Sequence, residues 1–305
     1  MGNMYQKRRG RSWALREQSI ELWPKWINFL RKFNNELNIE KPLIQLTTSE
    51  EKFEKLKQFI NEMDDQDLKI LEEDSIFIKN INQVFQTRNT KGIISLKDGR
   101  INATSLLETL DKYLKNKKIN FLKEEIIKIR KSKNQWISTT RKNKEIKSDI
   151  VVLCNSLKAV DLIDSLTHNI KLKPVLGQAI EVEINDAEVN LLSLPKQFNI
   201  DGKNIIQKSK NTLIIGSTDE YGTSPKENVF DKLTDFIDKK PKWLTEDKIS
   251  KKWFGIRSRP DGEPSPIIKN LNDGLIVCTG FYKNGILLAP ACSKWVTNEI
   301  KNYLN

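Results

Sequence analysis

The residues best placed to do chemistry stand near the end of the chain. Leu275-Ile-Val-Cys-Thr-Gly280 is an apolar run that stops at a glycine. After a short loop, Gly285-Ile-Leu-Leu-Ala-Pro290 opens a second apolar run. The pattern predicts a strand, a glycine, a loop and a helix, because Pro290 suits only the start of a helix. Such a unit leaves free backbone N–H groups and the positive end of a helix dipole at one sheet edge. Gly280 and Gly285 would let a flat or anionic ligand come close to the backbone. A flavin fits that description, since negative charge gathers at its pyrimidine end on reduction. An ordinary strand–helix turn with capping glycines accounts for the same residues equally well.

Upstream stands Trp253-Phe-Gly-Ile-Arg257-Ser-Arg259-Pro-Asp-Gly-Glu-Pro264. Arg257 ends an apolar, aromatic strand, where a guanidinium is costly to bury without an anion. Its fork pairs bidentately with a carboxylate, the simplest way to hold an amino acid. On these residues alone, an ion pair to one of the chain's many carboxylates is the more common use of such an arginine.

The rest of the inventory narrows the chemistry by exclusion. His168 is the one histidine, and the three cysteines, Cys154, Cys278 and Cys292, form no C-x-x-C. That inventory counts against a zinc site and a Ser–His–Asp triad, and no metal is expected. Neither G-x-x-x-x-G-K-[ST] nor G-x-G-x-x-G occurs. What remains is an enzyme whose cofactor does the hard chemistry, or no enzyme.

The net charge of +12 raises nucleic acid as a partner. Only 11 of the 52 basic residues are Arg, and the lysines are scattered among Asn and Ile. Phosphate and base recognition leans on Arg forks, so no nucleic acid is expected. The odd cysteine count and apolar contexts predict buried free thiols in a reducing, cytoplasmic compartment. No apolar run approaches the ~18 residues of a membrane span. The Arg-rich opening MGNMYQKRRGRSW would suit a transit peptide.

These residues need elements to position them. The periodicity predicts a helix over 12–33, kinked or split at Pro24, a strand over 43–47 and a helix over 49–63. Residues 64–89 read as a connection with short strands. A helix is expected over 104–116, strands over 119–122 and 125–129, and a hairpin over 136–147. The run Asp149–Cys154 (DIVVLC) predicts a strand buried on both faces. Strands follow at 174–184, 190–194, 204–208, 212–216 and 253–257, with a helix over 226–239. Leu275–Thr279 is the last strand and Gly285–Tyr303 the last helix.

The two C-terminal stretches resemble the flavin amine oxidoreductases of the D-amino-acid oxidase and glycine oxidase family. Members carry W-x-G-x-R-P…D-G-x-P, then (T/A)-G-H-x-(R/K)-N-G-(I/L)-L-L-A-P; here these are Trp253–Pro264 and Thr279–Pro290. Pro174-Val-Leu-Gly177-Gln178 is similar to the family's P-V-x-G-Q, and Asp98-Gly-Arg-Ile-Asn102 to its D-G-x-(V/I)-(D/N)-P. Ile214-Ile-Gly216-Ser-Thr-Asp-Glu220 is similar to its (I/L)-x-G-(A/S)-T-x-E strand. The opening resembles the segment just past the flavin-contacting loop in cyanobacterial glycine-oxidase-like proteins, which counts against a transit peptide.

The resemblance implies an α+β fold with an FAD-binding α/β domain over 1–40, 100–170 and 270–305. A mixed-sheet substrate domain would take 41–99 and 171–269. It implies hydride transfer from a small amine or amino acid to FAD, with molecular oxygen as the second substrate. Arg257 would take the substrate carboxylate. Gly280, Phe281, Lys283, Asn284, Gly285, Ile286 and Leu287 would meet the flavin, and Ile126 and Cys154 the adenosine; no catalytic side chain is implied. A homo-oligomer is compatible with all of this.

Several positions depart from the pattern. The family's leading strand–G-x-G-x-x-G–helix unit, which needs ~30 or more residues, does not occur. The expectation is therefore a chain that begins inside a longer protein, or a non-enzymatic remnant without flavin. A basic nucleic-acid-binding protein is the third reading. Phe281 replaces the usual His, and Ile205-Ile206-Gln207 replaces the aromatic–Val–Pro stretch. The glycine of the turn after DIVVLC is missing, with Asn155 supplying the positive φ instead.

Overall fold

The computed structural model describes residues 2–63, 65–163, 166, 169–185, 189–236, 240–271 and 273–305; His168 lies outside them. In chain order, the first elements are α1 (Gly10–Leu30), β1 (Leu43–Thr47), α2 (Glu50–Met63), β2 (Leu68–Leu71), α3 (Ile76–Phe85), β3 (Lys91–Ser95) and α4 (Ala103–Asn116). Then come β4 (Ile126–Ser132), β5 (Gln135–Thr140), β6 (Glu145–Ser148), β7 (Val151–Leu153), α5 (Lys158–Ile163) and β8 (Leu172–Glu183). The last part holds β9 (Gln197–Ile200), β10 (Lys203–Ser209), β11 (Thr212–Gly216), β12 (Glu220–Tyr221), α6 (Val229–Thr234), β13 (Ile249–Pro260), β14 (Ile267–Asn270), β15 (Leu275–Thr279) and α7 (Gly285–Leu304). The fold class is α+β. The chain folds as two units, one of residues 1–8, 38–101 and 176–256, the other of 9–37, 102–175 and 257–305.

The first unit is built on a nine-stranded sheet in the order β12-β8-β11-β10-β9-β1-β3-β2, with β13 also paired to β8. Its pairs are antiparallel where the register is defined, apart from parallel β1 and β9. Alternation puts Ile44, Phe198, Ile205, Ile215 and Ile180 on one face, in the main core. There Phe85 packs edge-on against Phe198, Phe236 and Trp243 at 5.1–5.7 Å. Leu43 and Ile93 cluster instead with Leu56 and Phe59 of α2. Asp98, buried in the turn after β3, accepts from the backbone N–H groups of Gly2, Asn3 and Met4 at 2.5–3.1 Å. That carboxylate ties the opening residues to this unit.

The second unit holds two three-stranded sheets. One is the antiparallel meander β4-β5-β6; the other is β14-β15-β7, with β7 parallel and β14 antiparallel to β15. Leu153, Leu275, Val277 and Ile267 form one cluster with Ile129, Ala159, Leu162 and Ile163. Ile268, Cys278, Leu288, Ala291 and Cys292 form another with Leu15 of α1. Helices α1 and α7 are locked by Trp23 Nε1, which donates to the Leu287 carbonyl at 3.0 Å.

Some expectations fail for identifiable reasons. Residues 76–85, read as part of a connection, form α3. Its run of Ile and Val has poor helix propensity, yet Ile78, Ile81 and Phe85 share one buried face, so packing decides. Of the two outcomes expected at Pro24 the split does not occur, since α1 continues through it. Residues 119–122 form no strand, and 191–193 make a 3-10 turn in which the Asn190 side chain accepts from Leu192 N–H at 3.1 Å. The helix expected over 226–239 is the short α6, with 237–239 outside the described residues. The DIVVLC strand is only half-buried at Val151 and Val152. The ladder joins it to β15 on one side, and among the described residues no strand pairs its other edge.

Candidate cofactor site

The site grows from β15, whose five residues are all buried. Parallel β7 and β15 end at the same edge of their sheet, the edge where open parallel sheets bind ligands. Thr279 Oγ1 fastens the two ends by donating to the Ser156 carbonyl at 3.0 Å. The positive φ expected at Asn155 sits at Ser156, φ 58°.

Gly280 follows with φ +67°. A Cβ there would lie 2.9 Å from Pro260 Cγ and 3.2 Å from Leu172 Cδ2, so both torsion and space demand glycine. Ser265 Oγ donates to the Gly280 carbonyl at 2.7 Å, and Tyr282 N–H donates to the Ser258 carbonyl at 3.0 Å. Tyr282 also has a positive φ of 54°, and the Arg259 guanidinium lies 5.5 Å from its ring. The Tyr282 contact sets the loop beside the end of β13, one residue past half-buried Arg257.

Helix α7 starts at Gly285. Its first turn holds no acidic residue, and Asn284 makes no side-chain cap. The first repeating bond runs from Leu288 N–H to the Asn284 carbonyl at 2.9 Å, so the amides of Gly285, Ile286 and Leu287 have no partner inside the helix. Lys283, Gly285 and Ile286 are exposed; Phe281, Asn284 and Leu287 are half-buried. Gly285 has no positive φ, and a Cβ there would meet nothing nearer than Phe281 Cβ at 3.9 Å. The fold itself does not require glycine at this position.

Ile126 and Cys154 line a groove of about 560 Å³ along β4 and β7, with Ile129, Val152, Leu153 and Lys158. Cys154, expected to be buried, is exposed there, at the position just after β7. At the groove mouth Glu125 pairs with Arg141 at 2.7 Å, and that hydrogen bond and charge hold the Glu125 carboxyl below its ordinary range. The structure thus brings 280–287 and Cys154 to the ends of the neighbouring strands β15 and β7, and Ile126 to the groove beside them; Arg257 lies inside β13, one residue before the Ser258 contact with the loop. Sequence reasoning missed Ser156, Ser258, Ser265 and Tyr282, which shape the loop through backbone bonds that no side-chain pattern reveals.

Residues 1–299 match the family model described as DAO, FAD dependent oxidoreductase. The chain belongs to that family. A comparison with the curated proteins found no significant match. Among solved structures, glycine oxidase from Bacillus cereus ATCC 14579 superposes with a TM-score of 0.82 at 19% identity, over 96% of this chain and 82% of that one. Glycine oxidase from Geobacillus kaustophilus gives 0.78 at 22%, over 97% and 80%. Iminodiacetate oxidase from Chelativorans sp. BNC1 gives 0.82 at 13%, over 95% and 80%. These likenesses show the fold, and the family makes the protein an FAD-dependent oxidoreductase.

The residues present fit such a cofactor at one end. Partnerless amides at an acid-free helix start suit a group that becomes anionic, and Gly280 and Gly285 keep side chains away from it. No helix among the described residues is long and apolar enough to cross a membrane.

Proposed function

We propose that this protein oxidises the carbon–nitrogen bond of a small amine or amino acid, with molecular oxygen as second substrate. FAD, when bound, supplies the hydride acceptor and passes the electrons to oxygen. The observation that carries the reading is the exposed, acid-free start of α7 behind a glycine that the fold requires. The amides of Gly285, Ile286 and Leu287, with the helix dipole, favour negative charge beside them. Phe281, Lys283 and Asn284 complete that loop, and Ile126 and Cys154 line the adenosine side. The Arg257 guanidinium orients the substrate by its carboxylate. No side chain of the loop needs to serve as base. Three free thiols suit a reducing, cytoplasmic compartment.

Gly285→Val tests the placement. It should leave the melting temperature of the FAD-free protein unchanged, because the space for a side chain is open, and should weaken FAD binding at least tenfold. Equal FAD dissociation constants for variant and parent would remove α7 from the site. Arg257→Ala should raise KM for the best of glycine, sarcosine and D-alanine by about ten- to a hundredfold, the loss of a charge-assisted bidentate contact. An unchanged KM would make Arg257 structural.

A further inference from the structure

The three cysteines stand in line, from the surface to the core of the second unit. The last defined pair of the β7–β15 ladder is Leu153 with Val277, so Cys154 and Cys278 hold the next rung. Residues on one rung of a parallel pair project to the same face, about 4.8 Å apart along the hydrogen-bonding direction. That lies within the Cα separation of about 4.4–6.8 Å that a disulfide spans. Leu153 and Val277 belong to the cluster on one side of the sheet, while Cys278 belongs to the opposite cluster with Cys292 of α7. The Cys154 and Cys278 thiols therefore face α7. Cys154 is exposed and lines the groove, so a small oxidant reaches it directly; Cys278 and Cys292 are buried.

We infer that Cys154 and Cys278 form a reversible disulfide on two-electron oxidation, with Cys292 as a neighbouring thiol that stays reduced. The oxidant is hydrogen peroxide. Cys154 Sγ attacks one peroxide oxygen and becomes a sulfenic acid, and the other oxygen leaves as water with the thiol proton. Cys278 Sγ then attacks the Cys154 sulfur, its proton leaves with the hydroxyl as a second water, and the S–S bond closes. Two thiols lose two electrons and two protons, and one peroxide becomes two waters.

Access, not acidity, sets this order. A bond to Cys278, then burial, raises the Cys154 pKa. The bond with Cys154 lowers the Cys278 pKa, but the bond with Cys292 and burial outweigh it and push it up to about 12. Both are held as thiols, so the reaction is slow at neutral pH and is read after prolonged exposure. The product would tie together the strand ends that carry Ser156 and Gly280. It rests on the thiol geometry alone, and FAD bound along the groove would slow it by covering Cys154.

The test uses the whole purified protein, exposed to excess hydrogen peroxide, blocked with N-ethylmaleimide and mapped by mass spectrometry without reduction. The expected result is a Cys154–Cys278 linked peptide, one blocked thiol at Cys292, a mass about 2 Da lower before blocking and full reversal by dithiothreitol. Cys292→Ser should keep the linkage. Cys278→Ser should abolish it and leave a Cys154 sulfenic acid that dimedone traps. Three blockable thiols after exposure, a Cys278–Cys292 linkage, or Cys154 sulfinic acid in the parent protein with no cross-link would each overturn the proposal.

Discussion

Strands β7 and β15 are neighbours in one sheet and nearly identical in composition, yet they sit in different surroundings. LIVCT is buried at all five positions, whereas VVL is half-buried at two of its three. β15 has β14 on one side and β7 on the other; β7 has β15 alone among the described residues. An apolar run records what a strand can tolerate, and its neighbours decide how much water it loses. The same contrast holds for the two loops that leave them. Gly280, after β15, is crowded by Pro260 and Leu172, while Cys154, after β7, opens onto a groove.

The largest expected effect sharpens this contrast. Leu275→Ala removes a fully buried side chain and should cost about 2–5 kcal/mol of unfolding free energy. Val152→Ala, on the half-buried partner strand, should cost about 1 kcal/mol. Equal losses in urea titrations would show that both strands are buried alike and that the difference between them is wrong. Gly280→Ala comes next. The new Cβ meets Pro260 and the torsion is left-handed, so about 1–3 kcal/mol should be lost, against almost nothing for Gly285→Ala.

Those two glycines also show what the sequence could and could not say. Both were legible as special positions by their place between an apolar run and a helix. Which of them the backbone needs was not legible, because the answer lies in Pro260, Leu172 and Ile267 packing over Gly280. Strands with clean bounds, 43–47, 212–216 and 275–279, were read correctly from their apolar runs and turns. Helix α3 was hidden by β-branched residues. Strands β9 and β14 escaped because Gln197–Ile200 and Ile267–Asn270 are too short for alternation to stand out. Among the thiols, burial was anticipated for all three and holds for Cys278 and Cys292. Cys154 is exposed at the end of β7, a strand that has one partner among the described residues, and no local pattern encodes that.

Acid separates the two units by a smaller amount. Asp201, at the β9–β10 turn, loses solvation on partial burial, yet bonds from Thr47 at 2.8 Å, Lys52 and Thr48 hold its carboxyl below the ordinary value. A folded pKa below the unfolded one adds stability above the ordinary carboxylate range and loses it as pH falls through the folded value. Asp201→Asn fits the same positive φ of 45°. It should destabilise by about 1 kcal/mol or less at pH 7, given the partial exposure, and by progressively less as pH falls through the folded value. A pH-independent difference would assign the effect to shape. In the second unit, the exposed Glu125–Arg141 pair is screened by solvent, so Glu125→Gln should change stability little at any pH.

The smallest effect concerns a single amide and decides whether the open edge of β7 is real. Val151 N–H donates to the Gly274 carbonyl at 2.8 Å, toward β15. Successive amides of a strand point to opposite sides, so Leu153 N–H also points toward β15 and Val152 N–H points away from it. With no strand on that side among the described residues, Val152 N–H depends on solvent or a ligand for its hydrogen bond. Its exchange with deuterium should be orders of magnitude faster than that of the Val277 amide, which sits between two strands, while the global stability of the protein is untouched. Adding FAD should leave the Val277 rate where it is. If Val152 is protected as strongly as Val277 in the free protein, another segment pairs with the edge of β7. The contrast between the two strands would then vanish. If protection appears only with FAD, the groove lined by Ile126 and Cys154 closes over that edge when the cofactor binds.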